Sequence, residues 1–146
     1  MTTDALWTVY ENTILRFVGK TGFAVDLARP LSNSDIAALA ALGIGTPFAV
    51  ITAYNPGGRV LPATRNHWRH LRLRVALAIR HTLLVTVSGE SADGSHRERG
   101  FAAAMSRADA AAIARRFGQL AIYWFDGESF WLDAVLAARA PERLPA

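Results

Sequence analysis

The 146-residue chain has no cysteine, and its basic side chains are fifteen arginines against a single lysine, Lys20. The missing thiols exclude a disulfide scaffold, thiol catalysis, iron–sulfur chemistry and cysteine zinc sites. A lone lysine, set in the Gly19–Gly22 turn, argues against Schiff-base enzymes and lysine-dependent nuclease centres. No apolar run approaches the ~20 residues that cross a bilayer. Met1-Thr2-Thr3-Asp4 lacks the basic region and apolar stretch of a secretory signal. A cytoplasmic location with no membrane partner is therefore expected. There is no G-x-x-x-x-G-K-[ST] phosphate loop, no full dinucleotide fingerprint, no H-E-x-x-H zinc motif and no G-x-S-x-G nucleophile elbow. The chain shows no recognisable catalytic motif, and nothing in it asks for a metal or another cofactor. Repeats, heptads and low-complexity linkers are missing too.

What is there is an apolar, moderately charged chain, with 51% hydrophobic and 19% charged residues. That length and composition suit one ordinary domain rather than a disordered segment. The net charge is +4, and the pI of about 10.3 is one footprint of nucleic-acid binding. A GC-rich coding sequence would enrich arginine and alanine equally well.

Patterning predicts a short helix from Asp4 to Tyr10, then strands over Thr13–Val18 and Phe23–Leu27 joined as a hairpin. Ser32-Asn33-Ser34-Asp35 caps a short amphipathic helix that stops at Gly43. Pro47–Tyr54 is a continuous apolar run, which fits a strand buried on both faces. It ends in the turn Asn55-Pro56-Gly57-Gly58. A helix follows over 62–81, with Trp68, Leu71, Val75 and Ala78 spaced as its core face. Leu83–Val87 reads as a strand, Ser88–Arg97 as a loop and Phe101–Met105 as a weak strand. Ser106–Asp109 caps a helix ending at Gly118. Strands over Gln119–Phe125 and Ser129–Val135 flank an Asp126-Gly127 turn. The expected architecture is a single α+β domain over 1–137. Its sheet is mostly antiparallel or mixed, with about five to seven strands under two or three helices. A loose tail spans 138–146.

Several strings recur together: ITAYNP at 51–56, Asn66, ERGF at 98–101 and ARRFGQLAIYWFD at 114–126. In combination they resemble a bacterial domain-of-unknown-function family, number 3293, over roughly residues 8–126. The chain departs from that pattern at Ser95-His96-Arg97 and at Leu120. The resemblance implies one compact domain and carries no reaction.

Thr52, Asn55, Asn66, Glu98 and Gln119 stand mostly at the ends of predicted elements, where ligand groups gather. They define a candidate site for a small anionic or nucleotide-like ligand, with Arg65 or Arg69 supplying positive charge. The architectural alternatives are definite. Asn55 before proline caps its own turn, Gln119 satisfies helix-end carbonyls, and Glu98 pairs with an arginine. Glu98 is also the one candidate acid or base in these strings. His67 and His70, at i and i+3, read as a solvated polar face rather than metal ligands. Two further readings stay open. One is sequence-tolerant nucleic-acid binding through Arg65, Arg69, Arg72, Arg74 and Arg80. The other is a homodimer formed through the aromatic strands that carry Trp124, Phe125, Phe130 and Trp131.

Overall fold

A computed structural model describes residues 2–19, 21–81 and 83–146. Lys20, placed by the sequence in the first hairpin turn, lies outside them, as do Met1 and Thr82. In chain order the elements are α1 (Thr3–Glu11), β1 (Ile14–Val18), β2 (Phe23–Asp26), α2 (Asn33–Ala41) and β3 (Phe48–Thr52). Then come a 3-10 turn (Pro56–Gly58), α3 (Ala63–Ala78), β4 (Val85–Glu90), β5 (Arg97–Ala104) and α4 (Arg107–Arg116). The chain ends with β6 (Ala121–Phe125), β7 (Phe130–Ala134) and β8 (Glu142–Arg143).

Local chemistry accounts for the element starts. Thr2 Oγ1 accepts from Ala5 N–H at 3.1 Å to open α1. Ser32 and Asp35 form a reciprocal capping box on α2, so two otherwise unpaired donors are satisfied at one helix end. Ser106 caps α4 through Asp109 N–H at 3.2 Å, and Gly118, at φ +67°, ends it in the left-handed turn that glycine favours.

The strands form one sheet in the order β2-β1-β4-β5-β3-β6-β7-β8, and every neighbouring pair is antiparallel. Among the described residues, eight strands exceed the expected five to seven, and four α-helices the expected two or three. One extra strand comes from the tail. Residues 138–146 are not loose: β8 pairs with β7, Leu144 is buried in the core, and Trp7 Nε1 donates to Glu142 at 3.2 Å. The segment read as a loop over 88–97 is strand only at its two ends, because β4 runs on to Glu90, which pairs with Arg97 of β5; residues 91–96 between them are the turn.

The sheet is covered on both faces, and β3 shows why. Its even residues Phe48 and Val50 join one core with Trp7 of α1 and Leu39 of α2. Its odd residues Ala49 and Ile51 join a second core, with Leu73 and Leu77 of α3 and Ile113 of α4. The sheet curls around the first core. Phe17 of β1 meets Phe48 of β3 edge to face at 6.3 Å, although β4 and β5 lie between their strands.

The core face of α3 is the opposite of the expected one. Asn66, His70, Leu73 and Leu77 are buried, whereas Trp68 is 66% exposed and Val75 63%. Both sets recur at three and four residues, so helical spacing alone cannot choose between them. The face that docks does so because Asn66 and His70 find partners against the sheet. His70 is 7% exposed, stacks on Phe101 at 4.5 Å and meets Tyr54 edge-on at 6.1 Å.

Candidate functional site

The chain leaves β3 through a knot of amides. Asn55 adopts a left-handed conformation, φ 47° and ψ 61°, which asparagine tolerates better than most residues. Its Oδ1 accepts from Leu61 N–H at 2.9 Å and from Asn66 Nδ2 at 2.8 Å. Its backbone N–H donates to Asn66 Oδ1 at 3.0 Å, so α3 and the loop are locked to the end of β3. The Asn55 Nδ2 then donates to Glu98 Oε1 at 3.0 Å.

Around this knot the other residues singled out by sequence serve the backbone. Thr52 Oγ1 donates to Arg99 O at 2.7 Å and accepts from Tyr54 N–H at 3.1 Å. Gln119 Nε2 donates to Tyr54 O and Phe117 O, each at 3.1 Å. Arg69 Nε donates to Ala53 O at 2.7 Å and its Nη2 to Phe117 O, stapling α3 to the end of α4. Arg65 is exposed on α3. Neither arginine borders the cavity described next.

Glu98 has no arginine partner among the described salt bridges. It faces a cavity of about 100 Å³ between α1 and the concave side of the sheet. The floor of that cavity is glycine. Gly89 stands opposite Glu98 across the β4–β5 pair, and Gly100 opposite Thr52 across β3–β5. Two missing side chains leave the room, and Gly100 is required, since a Cβ there would run into the Ile51 carbonyl. Leu6, Leu15, Val50, Val87 and Leu132 supply apolar walls, while Tyr10, Tyr123, Thr52, His96 and Gln119 supply polar atoms. Such a volume holds several waters or one small molecule.

The electrostatics follow from this burial. Desolvation raises the Glu98 carboxyl above its ordinary range, against the Asn55 hydrogen bond and the nearby His96, which both favour the charged form. Burial, with a smaller contribution from the Glu98 charge, pushes the Tyr10 phenol up to about 12. Burial raises Tyr123 as well, and its hydroxyl donates to Tyr10 O at 2.8 Å. Both phenols therefore stay protonated at neutral pH. Asn55 is the one hydrogen-bond partner of the Glu98 carboxylate among the described residues. A carboxyl held this way can orient a donor in the cavity or exchange one proton with it.

Tyr10, Tyr123, Gly89 and Gly100 are lining residues that the sequence reading missed. Tyr10 and Tyr123 come from opposite ends of the chain, and only the sheet order brings them together. The histidines separate: His67 is exposed, while His70 lies on the face of the sheet opposite Glu98, among the second core's residues. Among the described residues no three His, Asp or Glu side chains gather as a metal site. Burial, and then the charges of Arg99, His67 and Arg74, lower His70 below the usual imidazole range. At the far end, Phe125 and Phe130 are buried. Trp124 and Trp131 face each other across β6–β7, with the Arg107 guanidinium 4.3 and 4.9 Å from their rings. These four aromatics thus present no bare apolar face.

The fold and cavity define an α+β domain with a half-buried carboxyl, Glu98, poised over a glycine floor. Residues 51–122 match the family described as a protein of unknown function, DUF3293. That span holds the ITAYNP, ERGF and RFGQ strings and is a narrower stretch than the 8–126 read from sequence, so the match supports the family those strings resemble. The matched span holds Thr52, Asn55, Asn66, Glu98 and Gln119. No curated protein and no solved structure matches the chain.

Proposed function

We propose that the cavity between α1 and the sheet binds one small, largely apolar molecule, neutral or cationic, that hydrogen-bonds to Glu98. The observation that carries this reading is the Glu98 carboxyl itself. It is half-buried, unpaired with any arginine and held at one oxygen by Asn55, facing a space with apolar walls. Leaving a carboxyl there costs desolvation, and a ligand donor would offset it. The charge of the ligand departs from the sequence expectation of an anion. Two carboxyls, Glu98 and the arginine-paired Glu90, border the space with two phenols, whereas Arg65 and Arg69 do not, so an anionic or nucleotide-like ligand would meet the Glu98 carboxyl without a free counter-charge.

The test is thermal unfolding against small amines, amides and aromatic alcohols, with carboxylates and nucleotides as the opposite arm. A ligand at 100 times its Kd adds ~2.7 kcal/mol, a rise of about 2–8 °C for a domain of this size. The rise should occur with a neutral or cationic compound. It should be reduced in Glu98→Gln and lost in Gly89→Val, which fills the floor. Equal shifts in all three proteins, or shifts with anions alone, would overturn the proposal.

A further inference from the structure

We propose that the outward face of α3 is a separate binding surface for single-stranded nucleic acid, with Trp68 stacking on a base and Arg65 and Arg72 holding the flanking phosphates. Trp68 is 66% exposed in the middle of a well-formed helix, and Val75 and Ile79, 63% and 79% exposed, extend the same ridge. Arg65 and Arg72 lie three residues before and four after Trp68, so both flank its ring on the helix surface. His67, also exposed, lies edge-on to Trp68 at 6.1 Å.

Charge identifies the occupant as a polyanion. Between Asp35 and Glu90 the chain carries no acidic residue but six arginines: Arg59, Arg65, Arg69, Arg72, Arg74 and Arg80. The rest of the chain carries more acidic than basic residues. None of those six takes part in a described salt bridge, although Arg16, Arg29, Arg97, Arg107 and Arg139 all do. A second copy is a poor occupant, since a two-fold contact through α3 would set these arginines against themselves. The aromatic ring between two arginines selects among polyanions. Stacking needs an unpaired base, and its neighbouring phosphates then fall to the arginines. A duplex hides its base faces and gives Trp68 nothing to stack on.

The experiment is fluorescence anisotropy of a labelled poly-dT oligonucleotide with the whole chain, over a range of salt. Binding should weaken linearly in log salt, with a slope of about −0.7 per phosphate held. Trp68→Ala should lower affinity about tenfold. Arg65→Gln and Arg72→Gln should each reduce the salt slope by about 0.7, whereas Arg29→Gln, in the turn after β2, should leave it unchanged. All four positions are exposed, and unchanged melting curves would show that the variants fold. No binding at low salt would overturn the proposal. So would equal affinity for duplex or heparin with no effect of Trp68→Ala, which would mark a simple polyanion surface. Preferential binding to phosphatidylglycerol vesicles would overturn it in favour of lipid. None of these results bears on the cavity.

Discussion

Asn55 satisfies three groups with one side chain while sitting in a backbone region most residues avoid, and two substitutions separate these duties. Asn55→Ala leaves the Leu61 N–H unpaired, leaves the Asn66 Nδ2 only its 3.4 Å bond to Leu61 O, and forces alanine into the left-handed region. It should cost about 2–4 kcal/mol in urea unfolding. Asn55→Gly loses the same bonds but not the backbone fit, and should recover about 1 kcal/mol of that. Equal losses would mean the conformation carries no strain. Glu98 makes a prediction of opposite sign. Its carboxyl is raised in the fold, so its contribution favours folding at low pH and is lost as pH rises through the folded value. Glu98→Gln keeps an acceptor for Asn55 and removes the buried charge. It should raise the melting midpoint at pH 7, and the gain should vanish below the ordinary glutamate range. A lower midpoint at pH 7 would mean that the charged carboxyl has a stabilising partner.

At the scale of elements, α3 shows what patterning can and cannot tell. Its start, length and helical period were legible. Its orientation was not, because two stripes share that period and the docked one contains asparagine and histidine. Hydropathy ranks those below tryptophan and valine; only the partners Asn55 and Phe101 reverse the order. Leu73→Ala and Leu77→Ala should each cost about 2–5 kcal/mol, and Trp68→Ala and Val75→Ala within about 0.5 kcal/mol, all by urea unfolding. The reverse ranking would turn the helix over. Strand β5 was obscured for a related reason. Arg97-Glu98-Arg99-Gly100 looks like a loop because its charged side chains go to the rim and the cavity. Its glycine and alanines mark where β3 and the helices approach closely, rather than a weak strand.

For the whole molecule, the α+β class, most strands and the neighbourhood of Asn55, Asn66, Glu98 and Gln119 were legible. Capping residues, turns and apolar runs are local signals. The cavity was not, since its floor is two absent side chains and its polar rim joins α1 to β6 across more than a hundred residues. Nor was the tail. Glu142-Arg143 is too short and polar to read as a strand, yet Leu144 closes the first core and Leu144 N–H donates to Phe130 O at 2.8 Å. Leu144→Ala should therefore cost about 2–5 kcal/mol in urea unfolding, and deleting 138–146 should cost more. A tail that can be removed without loss would contradict its place in the core.

The most direct test of the cavity as a binding site is an NMR titration of the whole chain with a small neutral or cationic compound that raises the melting midpoint. The account predicts shift changes concentrated at Tyr10, Thr52, Gly89, Glu98 and Tyr123, with the Glu98→Gln spectrum responding more weakly. Changes confined to α3 or scattered over the surface, with those five residues unmoved, would contradict it.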